Sequence, residues 1–197
     1  AVLMAGKPAV FLDRDGTINE EINYLSRIED FRFLPGAIEA IELLNDAGLL
    51  AVVITNQAGV ARGYYDEQRV AEIHDFMQEQ LRHAGARVDG IYYCPHHPTA
   101  GLGKYKSDCS CRKPKPGMLE KAAADLKIDL QKSYLIGDKI SDLRAGLAVG
   151  CTTILVRTGY GAAHEKQLAE KNVHPDDIAD DLLTAAQWIV ADHSSPR

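Results

Sequence analysis

Two aspartates two positions apart, Asp13 and Asp15, with Thr55, Lys113 and Asp138, are the residue types that phosphoryl transfer through a carboxylate requires. They lie in four short runs: FLDRDGT at 11–17, VITNQ at 53–57, RKP at 112–114 and IGDK at 136–139. A carboxylate at 13 can attack phosphorus in line and hold the phosphoryl group as an aspartyl-phosphate. The phosphate dianion repels that attack, and Mg2+, which takes one or two carboxylates plus phosphate oxygens, offsets the repulsion. The expected magnesium ligands are Asp13, Asp138 and, through its main-chain carbonyl, Asp15. The Asp15 side chain is expected off the metal, protonating the leaving alkoxide and later activating water, with the negative charge of Asp13 helping to keep it protonated when needed. Thr55 and Lys113 are expected on the phosphate oxygens, over which transition-state charge spreads. Asp142, four residues after Asp138, is expected to reach the metal through water or to orient Lys139.

Three of the four runs follow directly on apolar, β-branched stretches, where an open parallel sheet presents its ligand crevice. Strands are expected at 9–13, 50–55, 90–94, 133–136 and 152–156, with a short last one at 178–179. Between them, apolar residues at helical spacing predict helices at 37–46, 67–84 (capped by Asp66), 118–126, 142–149 and 182–191. Such alternation predicts an α/β fold, a doubly wound parallel sheet with helices on both faces. Long loops at 19–34 and 95–116 follow the first and third strands, and neither carries apolar residues for a second core, so no separate cap domain is expected.

The second loop holds another pattern. Cys94-x-His96, twelve residues, then Cys109-x-Cys111 are two short chelating pairs that suit tetrahedral zinc, with His97 an adjacent alternative to His96. Four protein ligands leave no open position, so this Zn2+ is expected to be structural. Arg112 and Lys113 follow the last ligand directly, and the metal would therefore hold two positive groups against a substrate.

With 197 residues, 46% of them apolar, the chain is expected to form one domain over 1–197, with 1–7 and 193–197 as loose tails. A net charge of -6 and the lack of a Lys/Arg run argue against a nucleic-acid partner. No apolar stretch reaches 18 residues and no signal-peptide pattern opens the chain, so no membrane partner is expected and the location is expected to be cytoplasmic. His74 and His83 are expected to be solvated on their helix, and Cys151 to be a small core residue.

The DRDGT run, Thr55, Lys113 and GDKISD at 137–142 resemble the four ordered motifs of the haloacid dehalogenase superfamily. With DRDGTIN at 13–19, TNQAGVARG at 55–63, YYCPHHP at 92–98, CSCRKPKPGM at 109–118 and GDK at 137–139, the chain is similar to the zinc-loop heptose-bisphosphate phosphatases. That resemblance favours His96 as the zinc ligand and implies removal of the 7-phosphate of a heptose 1,7-bisphosphate, a small sugar bisphosphate, on a route to lipopolysaccharide or S-layer heptose. It also implies substrate contacts from Glu21, Ile22, Asn23 and Tyr24, from Thr55, Asn56, Gln57 and Ala58, and from Arg112, Lys113 and Lys139. Arg62 belongs to the GVARG run, and with Arg112 it offers charge to a second phosphate. A monomer is expected. The alternative is the related histidinol-phosphate phosphatase group, whose cationic substrate lacks that second phosphate. A polynucleotide end-phosphatase is disfavoured by the acidic charge, and a binding module without turnover by the intact Asp13 and Asp15.

Overall fold

A computed structural model describes residues 5–195. Six parallel strands form one sheet: β1 (Ala9–Leu12), β2 (Leu50–Asn56), β3 (Gly90–Cys94), β4 (Tyr134–Gly137), β5 (Thr152–Val156) and β6 (Asp177–Ala179). Their order is β3-β2-β1-β4-β5-β6. Ala9 faces Leu50 across one side of β1, and Val10 faces Tyr134 across the other. The chain therefore turns in opposite directions after β1 and after β3. The crevice of such a sheet opens at the carboxyl ends of β1 and β4.

Every residue of β1 is buried. Its side chains alternate between two cores, as the two-residue period of a strand demands. Val10 and Leu12, with Val53 and Ile136, pack against α1 (Ala37–Asp46), α2 (Glu67–His83) and α6 (Leu182–Ser194). Ala9 and Phe11, with Val52, Ile54 and Leu135, pack against α3 (Gly117–Leu126) and Ala145 of α4 (Ile140–Ala148). An unbroken apolar run is what a strand covered on both faces requires. The expected doubly wound architecture is the one observed.

Helix starts follow local chemistry. Asp66 accepts from the Arg69 amide at 2.9 Å to open α2, and Asp181 caps α6 through the Thr184 amide at 2.8 Å. Helix α4 begins two residues earlier than its apolar pattern suggests, because Asp142 lies inside the first turn and its Oδ2 accepts from the Lys139 amide. The sequence reading missed α5 (Gly161–Glu165), whose five residues are too few to show a periodicity.

Both expected tails need correction. Lys7 donates to the Lys127 carbonyl and accepts from the Asp129 amide, bridging to Ile128. Helix α6 continues through His193 and Ser194. Residues 1–4 and 196–197 lie outside the described residues. Among the described residues, no helix is long and apolar enough to cross a membrane.

Candidate active site

Asp13 follows the last residue of β1, where its amide donates to the Ile136 carbonyl of β4, so the switch point of the sheet itself holds the carboxylate. Asp138 leaves β4 alongside it, and Asp142 comes from the first turn of α4. One carboxylate oxygen from each of the three lies within 4.8 Å of the others, and all three side chains are buried. Lys113 reaches in from the 95–116 loop; its Nζ donates to Asp13 Oδ1 at 2.8 Å, to Asp142 Oδ1 at 2.5 Å and to the Ile54 carbonyl at 2.9 Å. Burial alone would lower this lysine's pKa, but the charges of Asp13 and Asp142 hold it above the ordinary value.

Asp138 has the opposite surroundings. Burial, with the charges of Asp13 and Asp142 adding to it, pushes its pKa up to about 10. Its Oδ2 accepts from the Tyr160 amide, while Oδ1 is a buried acceptor that no protein donor reaches. Gly16, at φ +85°, and Gly159 press against this carboxylate, and a Cβ at either position would run into it. Three converging carboxylates with a spare buried oxygen fit a hard, oxygen-seeking dication. The side chains that could hold such a cation are thus Asp13, Asp138 and Asp142. The side chain of Asp15 is engaged elsewhere.

Asp15 is surrounded by donors. Arg14 Nε and one terminal nitrogen donate to Oδ1 at 3.0 and 2.8 Å, and the same terminal nitrogen reaches Oδ2 at 3.0 Å. Asn19 donates to Oδ1 at 2.9 Å and Gln57 to Oδ2 at 3.1 Å. Burial raises the pKa of Asp15, yet the Arg14 charge and these hydrogen bonds outweigh it and hold the carboxyl below its usual range. The expected help from Asp13 in protonating this group is therefore opposed in the resting site: burial favours the proton, and the Arg14 charge together with the hydrogen bonds disfavours it.

A cavity of about 630 Å³ opens over these groups. Asp13, Asp15, Glu21, Asn23, Tyr24, Thr55, Asn56, Gln57, Ala58, Arg112, Lys113 and Lys139 all line it. Two expected contacts do not. Ile22 turns outward and is 43% exposed while its neighbours Glu21 and Asn23 face in. Arg62 lies with its guanidinium 5.8 Å from the centre of the Tyr24 ring and is not among the residues that line the cavity. Asn56 brackets the Lys113 backbone, accepting from its amide at 3.1 Å and donating to its carbonyl at 3.2 Å. Thr55 Oγ1 accepts from Gln57 at 2.9 Å, which leaves the threonine proton to point at a ligand. Burial and nearby Asp15 raise the pKa of Glu21. The charges of Asp13, Asp138 and Asp142 overcome burial to raise that of Lys139.

Tyr65, Pro114, Ser141, Tyr160 and His164 also line the cavity and were not singled out from sequence. Ser141 lies within the GDKISD run, and Tyr160 follows β5 at the carboxyl edge, so position alone could have flagged both. Tyr65 acts through Gln57, its hydroxyl donating to Gln57 Oε1 at 2.7 Å. Arg157 stays outside, paired with Glu165 and Asp180.

The zinc-loop residues converge as well. Cys111 Sγ lies 2.9 Å from Cys94 Sγ, 3.2 Å from Cys109 Sγ and 3.4 Å from His96 Nδ1. All four candidate ligand atoms fall within 4.8 Å of one another, the compass of a tetrahedral thiolate and imidazole site. His97 is excluded at Nδ1, which accepts from the Thr99 and Ala100 amides, so the histidine of the cluster is His96.

Residues 110–185 match the HAD-hydrolase-like family model. Fold and site together define a hydrolase of the haloacid dehalogenase class. An Escherichia coli K12 protein named D-glycero-beta-D-manno-heptose-1,7-bisphosphate 7-phosphatase is 45% identical over 163 residues, covering 82% of this chain and 85% of its own. A Thermosynechococcus vestitus protein named D-glycero-D-manno-heptose-1,7-bisphosphate 7-phosphatase is 42% identical over 195 residues, covering 97% and 99%. The crystal structure of D,D-heptose 1,7-bisphosphate phosphatase from B. bronchiseptica, complexed with magnesium and phosphate, superposes with a TM-score of 0.83 at 34% identity, covering 94% and 99%. The chain belongs to the D-glycero-D-manno-heptose-1,7-bisphosphate 7-phosphatase family.

Proposed function

We propose that this chain removes the 7-phosphate of D-glycero-D-manno-heptose 1,7-bisphosphate through an aspartyl-phosphate on Asp13. The observation that carries the reading is the buried meeting of Asp13, Asp142 and Lys113 on the wall of a cavity that Asp15 also lines, with Asp138 against them. Asp13 attacks phosphorus, its new P–O bond forming as the bond to the sugar oxygen at C7 breaks. Asp15, carrying a proton, delivers it to that oxygen; as a carboxylate it then takes a proton from the water that attacks the acyl-phosphate, and Asp13 is regenerated. Every protein group on Asp15 is a donor, so a protonated Asp15 has only the cavity to which to offer its hydrogen. An incoming phosphate dianion favours that protonated form.

Thr55 and Lys113 hold the equatorial phosphate oxygens. Magnesium, bound by Asp13 and Asp138 with Asp142 beside them, supplies the charge that lets a carboxylate approach a phosphate dianion. Arg112 and Lys139, on the cavity wall, suit the second phosphate, and Glu21, Asn23 and Tyr24 suit sugar hydroxyls. Zinc held by Cys94, His96, Cys109 and Cys111 fixes the loop that carries Arg112 and Lys113. Four cysteines without a disulfide suit a reducing compartment, which favours the cytoplasm as the place of work.

A substrate panel tests this reading: both anomers of the heptose bisphosphate, histidinol phosphate and fructose bisphosphate, each with magnesium and with EDTA. The expected result is the highest kcat/KM for a heptose bisphosphate, phosphate leaving from C7, and none released in EDTA. Preference for histidinol phosphate overturns the substrate.

A further inference from the structure

The proposed chemistry leaves a buried histidine without a task. His74, on α2, was expected to be solvated and is instead only 6% exposed. Its Nε2 lies 3.0 Å from one terminal nitrogen of Arg14. A guanidinium can only donate, so Nε2 is the acceptor and the ring is the neutral Nδ1–H tautomer. Burial, with the charge of Arg14, lowers the pKa of this histidine to about 3, which agrees with that assignment.

Arg14 is fully buried, and its other edge is the fork that grips both oxygens of Asp15. The guanidinium is therefore held from two sides: by the residue next to it in sequence, and by an imidazole delivered from a helix 60 positions away. A planar fork transmits orientation, because tilting it breaks the two-point grip on a carboxylate. Adjacency in the chain brings Arg14 and Asp15 together but leaves the plane of the fork open. The second partner, His74 at the far nitrogen, closes that freedom.

We propose that His74 is a positioning residue for the acid/base carboxylate: by accepting from Arg14 it sets the plane of the guanidinium, and through it the angle at which Asp15 faces the cavity. The inference rests on the reading of Asp15 as the group that moves protons. If His74 merely filled the valence of a buried arginine, its loss would lower stability and slow both halves of the reaction alike.

The test separates the halves. The leaving group of p-nitrophenyl phosphate needs no acid, so Asp15 is required only for hydrolysis of the aspartyl-phosphate; a heptose alkoxide needs Asp15 in both steps. His74→Leu is expected to lower kcat on heptose bisphosphate about 10- to 100-fold, part of the range a general acid/base supplies, with KM within about 3-fold. With p-nitrophenyl phosphate, the first-turnover rate of nitrophenolate release stays at the parent value while the steady-state rate falls. His74→Gln, which keeps an acceptor, recovers most of the loss. Equal losses in the first turnover and the steady state, unchanged kcat, or a His74→Gln variant no better than His74→Leu overturns the proposal. If His74→Leu does not fold, Arg14→Lys takes its place: the fork is lost and the charge kept, with the same split between first turnover and steady state expected, and equal losses again overturn it. A parent chain that hydrolyses p-nitrophenyl phosphate but not heptose bisphosphate fails the substrate reading alone, and the two-phase comparison still decides the role of His74.

Discussion

Lys113 and Asp13, 100 positions apart in the chain, meet at 2.8 Å with both side chains buried. Asp142 completes the contact from the other side of the same ammonium. This one cation therefore balances two of three clustered carboxylates while remaining on the wall where a phosphate would bind.

Lys113→Met tests both duties. Removing a charge aimed at a developing oxyanion is expected to lower kcat/KM by about 100-fold or more. Leaving buried carboxylates unpaired is expected to cost roughly 3–5 kcal/mol of stability in EDTA. Phosphate release and urea unfolding measure the two, and a variant as stable as the parent in EDTA would contradict the pairing.

Zinc held by Cys94, His96, Cys109 and Cys111, as proposed, would act on the same lysine at a distance. Cys109→Ser is expected to lower zinc content, thermal stability and turnover together. A loss of about 2 kcal/mol would move Tm by roughly 4–8 °C in a chain of this size. Turnover should drop by about 10-fold or more as Arg112 and Lys113 lose their fixed geometry. A Cys109→Ser protein with full zinc and full activity counts against the arrangement.

His74 predicts an acid-sensitive fold. Its folded pKa, about 3, lies below the unfolded value near 6.5. The unfolded chain therefore binds a proton over that window and the folded chain does not. Stability from this group is complete above about pH 6.5 and is lost as pH falls toward 3, at no more than about 1.4 kcal/mol per pH unit. Urea midpoints of the parent and of His74→Gln between pH 7 and pH 4 check the sign: the parent should lose more. A parallel decline in the two proteins would exclude His74 as the source.

Arg62 and Arg112 should separate. Arg112 lines the cavity, whereas Arg62 lies against the Tyr24 ring. An exposed cation–π contact contributes about 0.5–1 kcal/mol, so Arg62→Ala is expected to raise KM about 2- to 5-fold with kcat unchanged. Arg112→Ala is expected to raise KM about 10-fold or more, as the loss of a charged hydrogen bond to phosphate does. The reverse ranking would put the second phosphate at Arg62.

Much of the architecture was legible because its cause is local. Unbroken apolar runs at 9–12 and 50–54 announce strands covered on both faces, and Asp66 opens α2 through its own third-following amide. The Cys/His cluster was legible for a similar reason, since each pair lies within three residues. Even there, only the folded loop separated the two histidines, by giving His97 Nδ1 two backbone amides to accept from.

The sequence by itself determined the inventory: a carboxylate at the end of the first strand, a threonine, a lysine and a further aspartate in order, on a sheet whose central strands carry the apolar pattern of buried parallel strands. Tertiary structure alone decided which charge neighbours which. The carboxyl of Asp15 is held below its usual range because Arg14 and the hydrogen bonds outweigh burial, Asp142 comes within reach of Asp13 and Asp138, Arg62 lies against the Tyr24 ring, and His74 is buried against a guanidinium. Protonation and coordination depend on which distant segments share a desolvated volume, and the spacing of residues along a chain carries no record of that.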